Sequence, residues 1–494
     1  MRAYSWSACA WPRLSLLMPL LSALTLSGCI NLAPDYQRPA APIPAQWPQA
    51  ADNGEEGEPA ASSGSQAELD WRQFVLSPQL QQLIELGLQH NRDLRIAAHT
   101  LRRSQAQYGV QRAQQFPNVD ANVGAQQQRL PEAVSAGGPA SISRQYSANL
   151  GLLSYELDFF GRISNLEQQA LFSYLASEQG RRNTEITVIN QIASRYLSLA
   201  ANHALVALAQ ETLDSQQDSL RLTQQSFDNG VVSGLDVAQA QVTVATAQVD
   251  LARFKSSLAQ DRNALAVLVG TGIRDDLLPS AAQSVSSSWL APLQVGLPSS
   301  LLRLRPDVVQ AEYQLMGNNA NIGAARAAYF PSISLTATAG VLSSELDDLF
   351  SGDARSWNFS PSLSVPIFHW GELDANVAIA KANSDIALAT YEQTIQNAFR
   401  EVADSLAARR YLAQQYQAQQ ALVAATGESF QLSELRFRQG VDSFYNVLDS
   451  QRSYFSAQQQ LISLDLSQQT NLLTLFRALG GGWRGNPLPP LPSP

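Results

Sequence analysis

The 494-residue sequence has few of the residue types on which several protein classes depend. It contains only two lysines, Lys255 and Lys381, and no basic run, so the positive surface that neutralises nucleic-acid phosphates is missing. Its two cysteines, Cys9 and Cys29, lie near the N-terminus, which excludes disulfide frameworks, thiolate zinc sites and cysteine nucleophiles from the rest of the chain. No apolar run of about 18 residues follows them, so no transmembrane helix is expected downstream. Because the basic surface is missing, we also expect no nucleic-acid partner.

The residues that build most enzyme sites are also sparse. The four histidines show no pair at metal-ligand spacing; they are His90, His99, His203 and His369. No Gly-Xaa-Ser-Xaa-Gly motif occurs, and the glycines at 480–482 follow a helical segment, so they do not form a strand-to-helix phosphate loop. We therefore expect no enzyme, no metal, no cofactor and a passive role.

The N-terminus has the features of an export signal. A positive start precedes a short apolar stretch at 14–26, which predicts a signal peptide at 1–28. Residues 26–29 (LSGC) resemble the bacterial lipobox, in which the cysteine receives S-diacylglycerol and N-palmitoyl groups; this makes Cys29 the lipidation residue. Ile30 follows in place of the Asp that resembles an inner-membrane retention signal, so sorting to the outer membrane is implied. The alternative is an ordinary signal peptide with an incidental cysteine.

Two halves of the remaining chain can be superimposed. At a shift of 214 the matching pairs are Asp93 with Asp307, Arg112 with Arg326 and Phe116 with Phe330. At a shift of 210 they are Gly161 with Gly371, Phe227 with Phe437, Gly230 with Gly440 and Ser233 with Ser443. A duplication with one change in loop length explains both shifts. The expected organisation is a lipid-anchored extended segment at 29–76, a first repeat at 77–270, a linker at 271–305, a second repeat at 306–483 and a Pro-rich tail at 484–494.

Each repeat is expected to contain a helix, two strands, a very long helix and a returning helix. The strands alternate apolar and polar residues and are expected at about 118–128, 146–157, 332–342 and 357–368. Strands of about 10 residues can cross a bilayer when tilted, and aromatic residues flank these. Four strands cannot close a membrane barrel, and open edges are not tolerated in lipid, so closure requires other copies of the chain. A soluble sandwich hairpin is the alternative.

The long helices are expected at 161–229 and 371–439, and the returning helices at 235–269 and 444–479. Neither long segment contains proline, and each carries a stripe of apolar residues spaced three and four apart, which predicts packing against neighbouring helices. The stripes are Ile186, Ile189, Ala193, Tyr196 and Ala200 in the first, and Leu388, Tyr391, Ile395, Ala398 and Val402 in the second. Gly230 and Gly440 are expected to end the long helices, and Ser233 and Ser443 to cap the returning ones.

Five further segments carry a family resemblance. They are PDYQRP at 34–39, RLRPD at 303–307, GAARAAYFP at 323–331, VPIF at 365–368 and ALGGGW at 478–483. Together with the lipobox they are similar to the lipoprotein (OprM/NodT) branch of the TolC-like outer-membrane factors. The resemblance implies a mainly α fold with a small β part. It also implies a homotrimer with a 12-stranded outer-membrane β-barrel continued by a 12-helix periplasmic α-barrel.

The same resemblance implies a function. Such proteins are the exit ducts of tripartite efflux pumps, joined through a periplasmic membrane-fusion adaptor to an inner-membrane pump, which we expect to be proton-driven. In relatives the periplasmic end is closed by apolar and Asp rings on the last helix, and these positions fall on Tyr445 and Asp449. Arg436 and Arg438 are expected partners of Asp449. The adaptor is expected to dock on the two hairpin tips, at Asn229, Gly230, Val231, Gly440, Val441 and Asp442.

Two alternative functions would require different sequence patterns. A self-sufficient diffusion porin would supply many strands from one chain, and a lipid-anchored structural coiled coil would show strict heptads without alternating strands. The alternative to a gate role for Asp449 is a solvated carboxylate favoured by the helix dipole early in a helix.

Overall fold

A computed structural model of the chain describes residues 30–44, 47, 70–131, 139–280, 289–293 and 299–481. The expected signal peptide, the lipidation residue Cys29 and the tail at 484–494 lie outside these ranges. The helices are α1 (Trp71–Phe74), α2 (Pro78–His90), α3 (Arg92–Ala113), α4 (Arg162–Asp228), α5 (Gly234–Val269), α6 (Pro306–Ala327), α7 (Glu372–Arg438) and α8 (Phe444–Ala478). The strands are β1 (Val119–Leu130), β2 (Ser141–Leu157), β3 (Ser332–Ser343) and β4 (Arg355–Ser364). The expected mainly α fold with a small β part is confirmed.

These elements form two compact units. The first takes its described residues from Met1–Arg38, Arg103–Leu175 and Tyr313–Ala389. The second takes them from Pro39–Arg102, Ala176–Glu312 and Thr390–Pro494. Each unit therefore combines segments of both sequence repeats. All four strands belong to the first unit, and both helical hairpin tips belong to the second.

The strands of the first unit form one antiparallel sheet in the order β1-β2-β3-β4. Its register places Ala121 opposite Leu150, Leu150 opposite Ala339 and Ala339 opposite Trp357. Directly opposed residues lie on the same side of a sheet, so this register produces one continuous apolar face. Trp357 is 79% exposed and Leu150 is 60% exposed. The chain by itself therefore leaves an extended apolar surface uncovered.

Both outer edges of this sheet are open in the described part of the chain. β1 pairs with β2, and β4 pairs with β3, but no second strand lies beside either of them. β2 begins at Ser141 and not near 146, because Ser141 pairs with Leu130 and the ladder continues through a polar stretch with weak alternation. β4 ends at Ser364 and not near 368, because Pro366 has no amide hydrogen to donate to a ladder.

The two long helices, α4 and α7, each contain 67 residues without interruption. They follow Gly161 and Gly371, whose φ values of +72° and +83° suit glycine. The expected apolar stripes are buried, except that Leu388 is half-buried. Among the described residues, no helix combines the length and hydropathy needed to cross a membrane.

Two equivalent joints in the second unit show that the repeat extends to individual contacts. Asn91 precedes α3 and donates from Nδ2 to the Leu268 carbonyl near the end of α5, at 2.7 Å. Arg305 precedes α6 and donates from Nη1 to the Ala478 carbonyl at the end of α8, at 2.8 Å. These pairs are related by the shifts of 214 and 210 found in the sequence. A side chain before one helix thus satisfies a terminal carbonyl of another in both repeats.

Candidate functional site

Both helical hairpins turn through the same capping motif at their tips. In the first, the Gly230 amide donates to the Phe227 carbonyl and the Val231 amide donates to the Ser226 carbonyl, both at 2.9 Å. In the second, Gly440 and Val441 repeat these bonds with Phe437 and Arg436. The glycines have φ values of +73° and +72°, as this left-handed cap requires. Two consecutive unpaired carbonyls at each helix end are thereby satisfied.

The returning helix of the first hairpin begins with the expected cap. Ser233 and Asp236 form a capping box, in which the Ser233 amide donates to Asp236 Oδ2 at 2.8 Å. The Ser233 side chain and amide donate to the Asp236 carboxylate and lower its pKa from the ordinary value of 3.8. Because the folded-state pKa is lowered, this cap is intact above 3.8 and is lost only as the pH falls through the lowered value.

The second hairpin has Ser443 at the N-cap position of its returning helix, but the expected side-chain bond is replaced by contacts of Asp442. The Ser443 hydroxyl makes no capping bond at α8. Instead, Asp442 Oδ1 accepts from Asn446 Nδ2 at 2.6 Å and from the Ser443 amide at 2.8 Å. The Asn446 bond, followed by the Ser443 and Arg436 contacts, lowers the pKa of Asp442. Asp442 thus ties the turn to the start of α8 through a side chain and through the amide of the N-cap residue, and neither bond involves a first-turn amide of the helix.

The expected partners of Asp449 lie elsewhere within the chain. Arg436 pairs with Asp442 at 3.2 Å, and Arg438 pairs with Glu434 at 2.6 Å. Asp449 pairs instead with Arg452, three residues further along α8. Within one copy, neither Arg436 nor Arg438 pairs with Asp449. An i,i+3 pair is a nearest neighbour on a helix surface, whereas the two other arginines have nearer carboxylates.

Tyr445 and Asp449 lie one helical turn apart on α8 and face the same groove. Tyr445 is 58% exposed, and the Asp449 side chain is 49% exposed. The groove runs between α5 and α8, and its lining includes Leu235 and Gln239. Leu235 and Gln239 are the repeat equivalents of Tyr445 and Asp449 at the shift of 210. An aliphatic–amide pair in one repeat thus lines the same groove as an aromatic–carboxylate pair in the other.

The tips also present apolar side chains to solvent. Val231 is 76% exposed and Val441 is 63% exposed, directly after the two capping glycines. Beneath them the hairpins are held together by Ala240, Phe444, Val447 and Leu448, which form one buried cluster. The exposed valines are therefore carried by a packed base. Such an arrangement suits recognition of another molecule.

Two side-chain contacts near the tip were not identified from the sequence, namely the Asp442–Asn446 bond and the Asp449–Arg452 pair. Both had a weak local signal, because Asp442 lies four residues before Asn446 and Asp449 lies three before Arg452. Among the described residues, no group of three or more His, Cys, Asp or Glu side chains is placed to hold a metal ion.

The chain belongs to the outer membrane efflux protein family, whose pattern matches residues 83–271 and 297–481. The two matched segments correspond to the two repeats. The protein is therefore an outer-membrane channel component of an efflux system.

Three known proteins show how extensive the similarity is. The chain is 48% identical over 470 residues to the antibiotic efflux pump outer membrane protein ArpC of Pseudomonas putida, covering 95% of this chain and 96% of ArpC. It has the same identity and coverage with the toluene efflux pump outer membrane protein TtgC of Pseudomonas putida. The solved open-state outer membrane channel MtrE of Neisseria gonorrhoeae is 33% identical, with a TM-score of 0.80 over 92% of this chain and 98% of MtrE.

The difference between the two caps can be tested by a pair of equivalent substitutions. Ser233→Ala should weaken the first tip by about 1 kcal/mol, which is roughly a fivefold increase in local opening, because a capping bond is lost. Ser443→Ala should leave the second tip unchanged, since its hydroxyl caps nothing. Hydrogen exchange of the first-turn amides of α5 and α8 measures both effects. Equal effects of the two substitutions would contradict this assignment.

Proposed function

We propose that three copies of this chain form the exit duct of a tripartite efflux pump, with a 12-stranded outer-membrane barrel continued by a 12-helix periplasmic barrel. The sheet supports this assembly, because in the part of the chain that the structure describes it combines an exposed apolar face with two open edges. Lipid would cover that face. Neighbouring copies would pair β4 of one chain with β1 of the next, so that every backbone group in the hydrocarbon is satisfied.

The duct is proposed to be passive. Transport energy would come from an inner-membrane pump, of the proton-driven kind, and a periplasmic adaptor would join that pump to this chain. The relatives support a duct with little substrate selection of its own, since one named for antibiotics and one named for toluene are each 48% identical to this chain. Selection would then lie in the pump that delivers the substrate.

A lipid anchor is part of the proposal. Acylation of Cys29 with S-diacylglycerol and N-palmitoyl groups would attach the mature N-terminus to the outer membrane. Several acyl chains give stable attachment where a single chain is marginal. The anchor would hold each copy at the membrane surface while its open sheet edges await neighbouring copies.

The groove residues Tyr445 and Asp449 are proposed to close the periplasmic end of the duct. Around a threefold axis, three Asp449 carboxylates a few ångströms apart would repel by about 1 kcal/mol per pair in a water-like medium. The Asp449–Arg452 pair within each copy would offset part of that repulsion. The tyrosine rings would add bulk to the closure, with a hydroxyl that can bond to water or to a neighbouring copy.

Removing both side chains should open the closed duct. The double variant Tyr445→Ala, Asp449→Ala should raise the single-channel conductance of the purified assembly in a planar bilayer by at least about twofold, because the narrowest point loses bulk and charge. The control is Asp218→Ala, which removes an exposed carboxylate paired with Arg221 on α4. A closed-state conductance that stays at the wild-type value, or that rises equally in the control, would contradict a gate role for Tyr445 and Asp449.

The two tips are proposed as the docking surface of the adaptor. The set comprises Asn229, Gly230, Val231, Gly440, Val441 and Asp442. The exposed valines support this proposal, because apolar side chains beside a tight turn offer contact area without being needed for the fold.

A charge at the tips should prevent docking while the channel itself still assembles. The double variant Val231→Asp, Val441→Asp should reduce in-cell cross-linking to the adaptor by at least about tenfold, since a carboxylate buried in an apolar contact is unfavourable. The amount of chain assembled in the outer membrane should not change. Val267→Asp is the matched control, because it places a carboxylate on an equally exposed valine at the other end of α5. Wild-type levels of cross-linking in the double variant would place the docking surface elsewhere.

A further inference from the structure

The described chain begins with an extended arm, residues 30–34, that is bound to the first unit by hydrogen bonds along its length. The Ile30 amide donates to the Phe159 carbonyl at 3.2 Å, two residues beyond the end of β2. Asn165 Nδ2 donates to the Asn31 side-chain oxygen at 2.9 Å. Asn165 is fully buried whereas Asn31 is exposed, so this bond joins the arm at the surface to the interior of the unit.

Helix α6 supplies the other side of the binding groove. Arg326 Nη1 donates to the Leu32 carbonyl at 3.0 Å, and Asn319 Nδ2 donates to the Pro34 carbonyl at 2.7 Å. Because the arm is neither a strand nor a helix, these two carbonyls have no partner in regular secondary structure. The side chains of α6 satisfy them instead. We call the residues that receive the arm, namely Phe159, Asn165, Asn319, Gly323 and Arg326, the arm groove.

The arm groove also has a shape requirement at Gly323. A Cβ atom at this position would lie 2.7 Å from the Ala33 nitrogen and 2.8 Å from the Ala33 Cβ, closer than real Cβ contacts. Glycine in the middle of a helix is unfavourable by about 1 kcal/mol relative to alanine. In the GAARAAYFP segment, the helix-weakening Gly323 thus stands where the arm crosses α6. Arg326, three residues later, binds the arm.

The first repeat carries the same residue types without an arm. Gly109 and Arg112 correspond to Gly323 and Arg326 at the shift of 214. A Cβ at Gly109 would have no atom within 4 Å among the described residues. Crowding by the arm is thus particular to the second repeat and is not a general property of this helix. Gly109 and Arg112 therefore provide matched control positions for substitutions at Gly323 and Arg326.

We infer that the arm groove is a docking site for the chain's own N-terminal arm. This docking fixes the position of the lipid anchor relative to the sheet. Asn165, Asn319 and Arg326 act as positioning residues for that anchor. The inference rests on the proposed acylation of Cys29, which is bonded directly to Ile30. With Ile30 tied to Phe159, the acyl chains would enter the membrane beside the end of β2, and anchor and sheet would insert as one body.

The test is cleavage of the Leu32–Ala33 bond by chymotrypsin in the purified full-length protein. The Gly323→Ala variant should be cut there at least about tenfold faster than wild type, because the arm is displaced and cleavage follows local opening. Gly109→Ala should be cut at the wild-type rate, although it makes the same exchange at the equivalent helix position. Mass spectrometry of the fragment beginning at Ala33 gives both rates.

A second pair of variants keeps the test independent of helix packing. Arg326→Ala removes one arm bond and should also increase cleavage, whereas the equivalent Arg112→Ala should not. Equal rates for Gly323→Ala and Gly109→Ala, or for Arg326→Ala and wild type, would overturn the arm groove. The intact mass of the wild-type chain separately reports the lipid. An unacylated chain that is still protected at Leu32–Ala33 would remove the anchor while retaining the docked arm.

Discussion

The unpaired edges of the four-stranded sheet are the constraint on which the rest of this structure depends. In water such edges can bond to solvent, but in hydrocarbon each unsatisfied amide or carbonyl costs several kcal/mol. The apolar face of the same sheet is unfavourable in water, so neither solvent suits a single copy. Closure between copies satisfies both demands at once. The paired repeats, which place β2 beside β3, supply each copy with a continuous four-stranded segment for that closure.

In the second unit, the helical hairpins end in tips whose base is tightly packed and whose outermost side chains are exposed. In each turn the glycine cap satisfies terminal carbonyls, and Asp236 or Asp442 accepts from the amide of the serine that precedes the returning helix. A buried cluster around Ala240 and Phe444 holds the two hairpins together. Tyr445 and Asp449, proposed to close the duct, and the exposed valines Val231 and Val441, proposed to bind the adaptor, are therefore not the side chains that hold the fold together. This separation would allow the tips to be altered for different partners without loss of the scaffold.

Much of this architecture could be predicted from the sequence, because it depends on features that are local or repeated. Alternation gave the strands, the absence of proline and the stripe through Tyr196 gave the long helices, and glycines at equivalent positions gave the tips. Side-chain pairing was harder. Ser443 has the residue type of a cap, yet its hydroxyl makes no capping bond, and Asp442 binds both the Ser443 amide and Arg436. The arm is invisible to local patterns, since Arg326 and Leu32 are 294 residues apart.

If three copies are needed to close the sheet, native mass spectrometry of the detergent-purified, full-length protein should show it. A single dominant species with three times the mass of one mature chain is expected, and it should persist on dilution because strand pairing joins every copy to two others. A dominant monomer or dimer whose β1 and β4 amides are protected from exchange would contradict this expectation, because the sheet edges would then be satisfied without a threefold assembly.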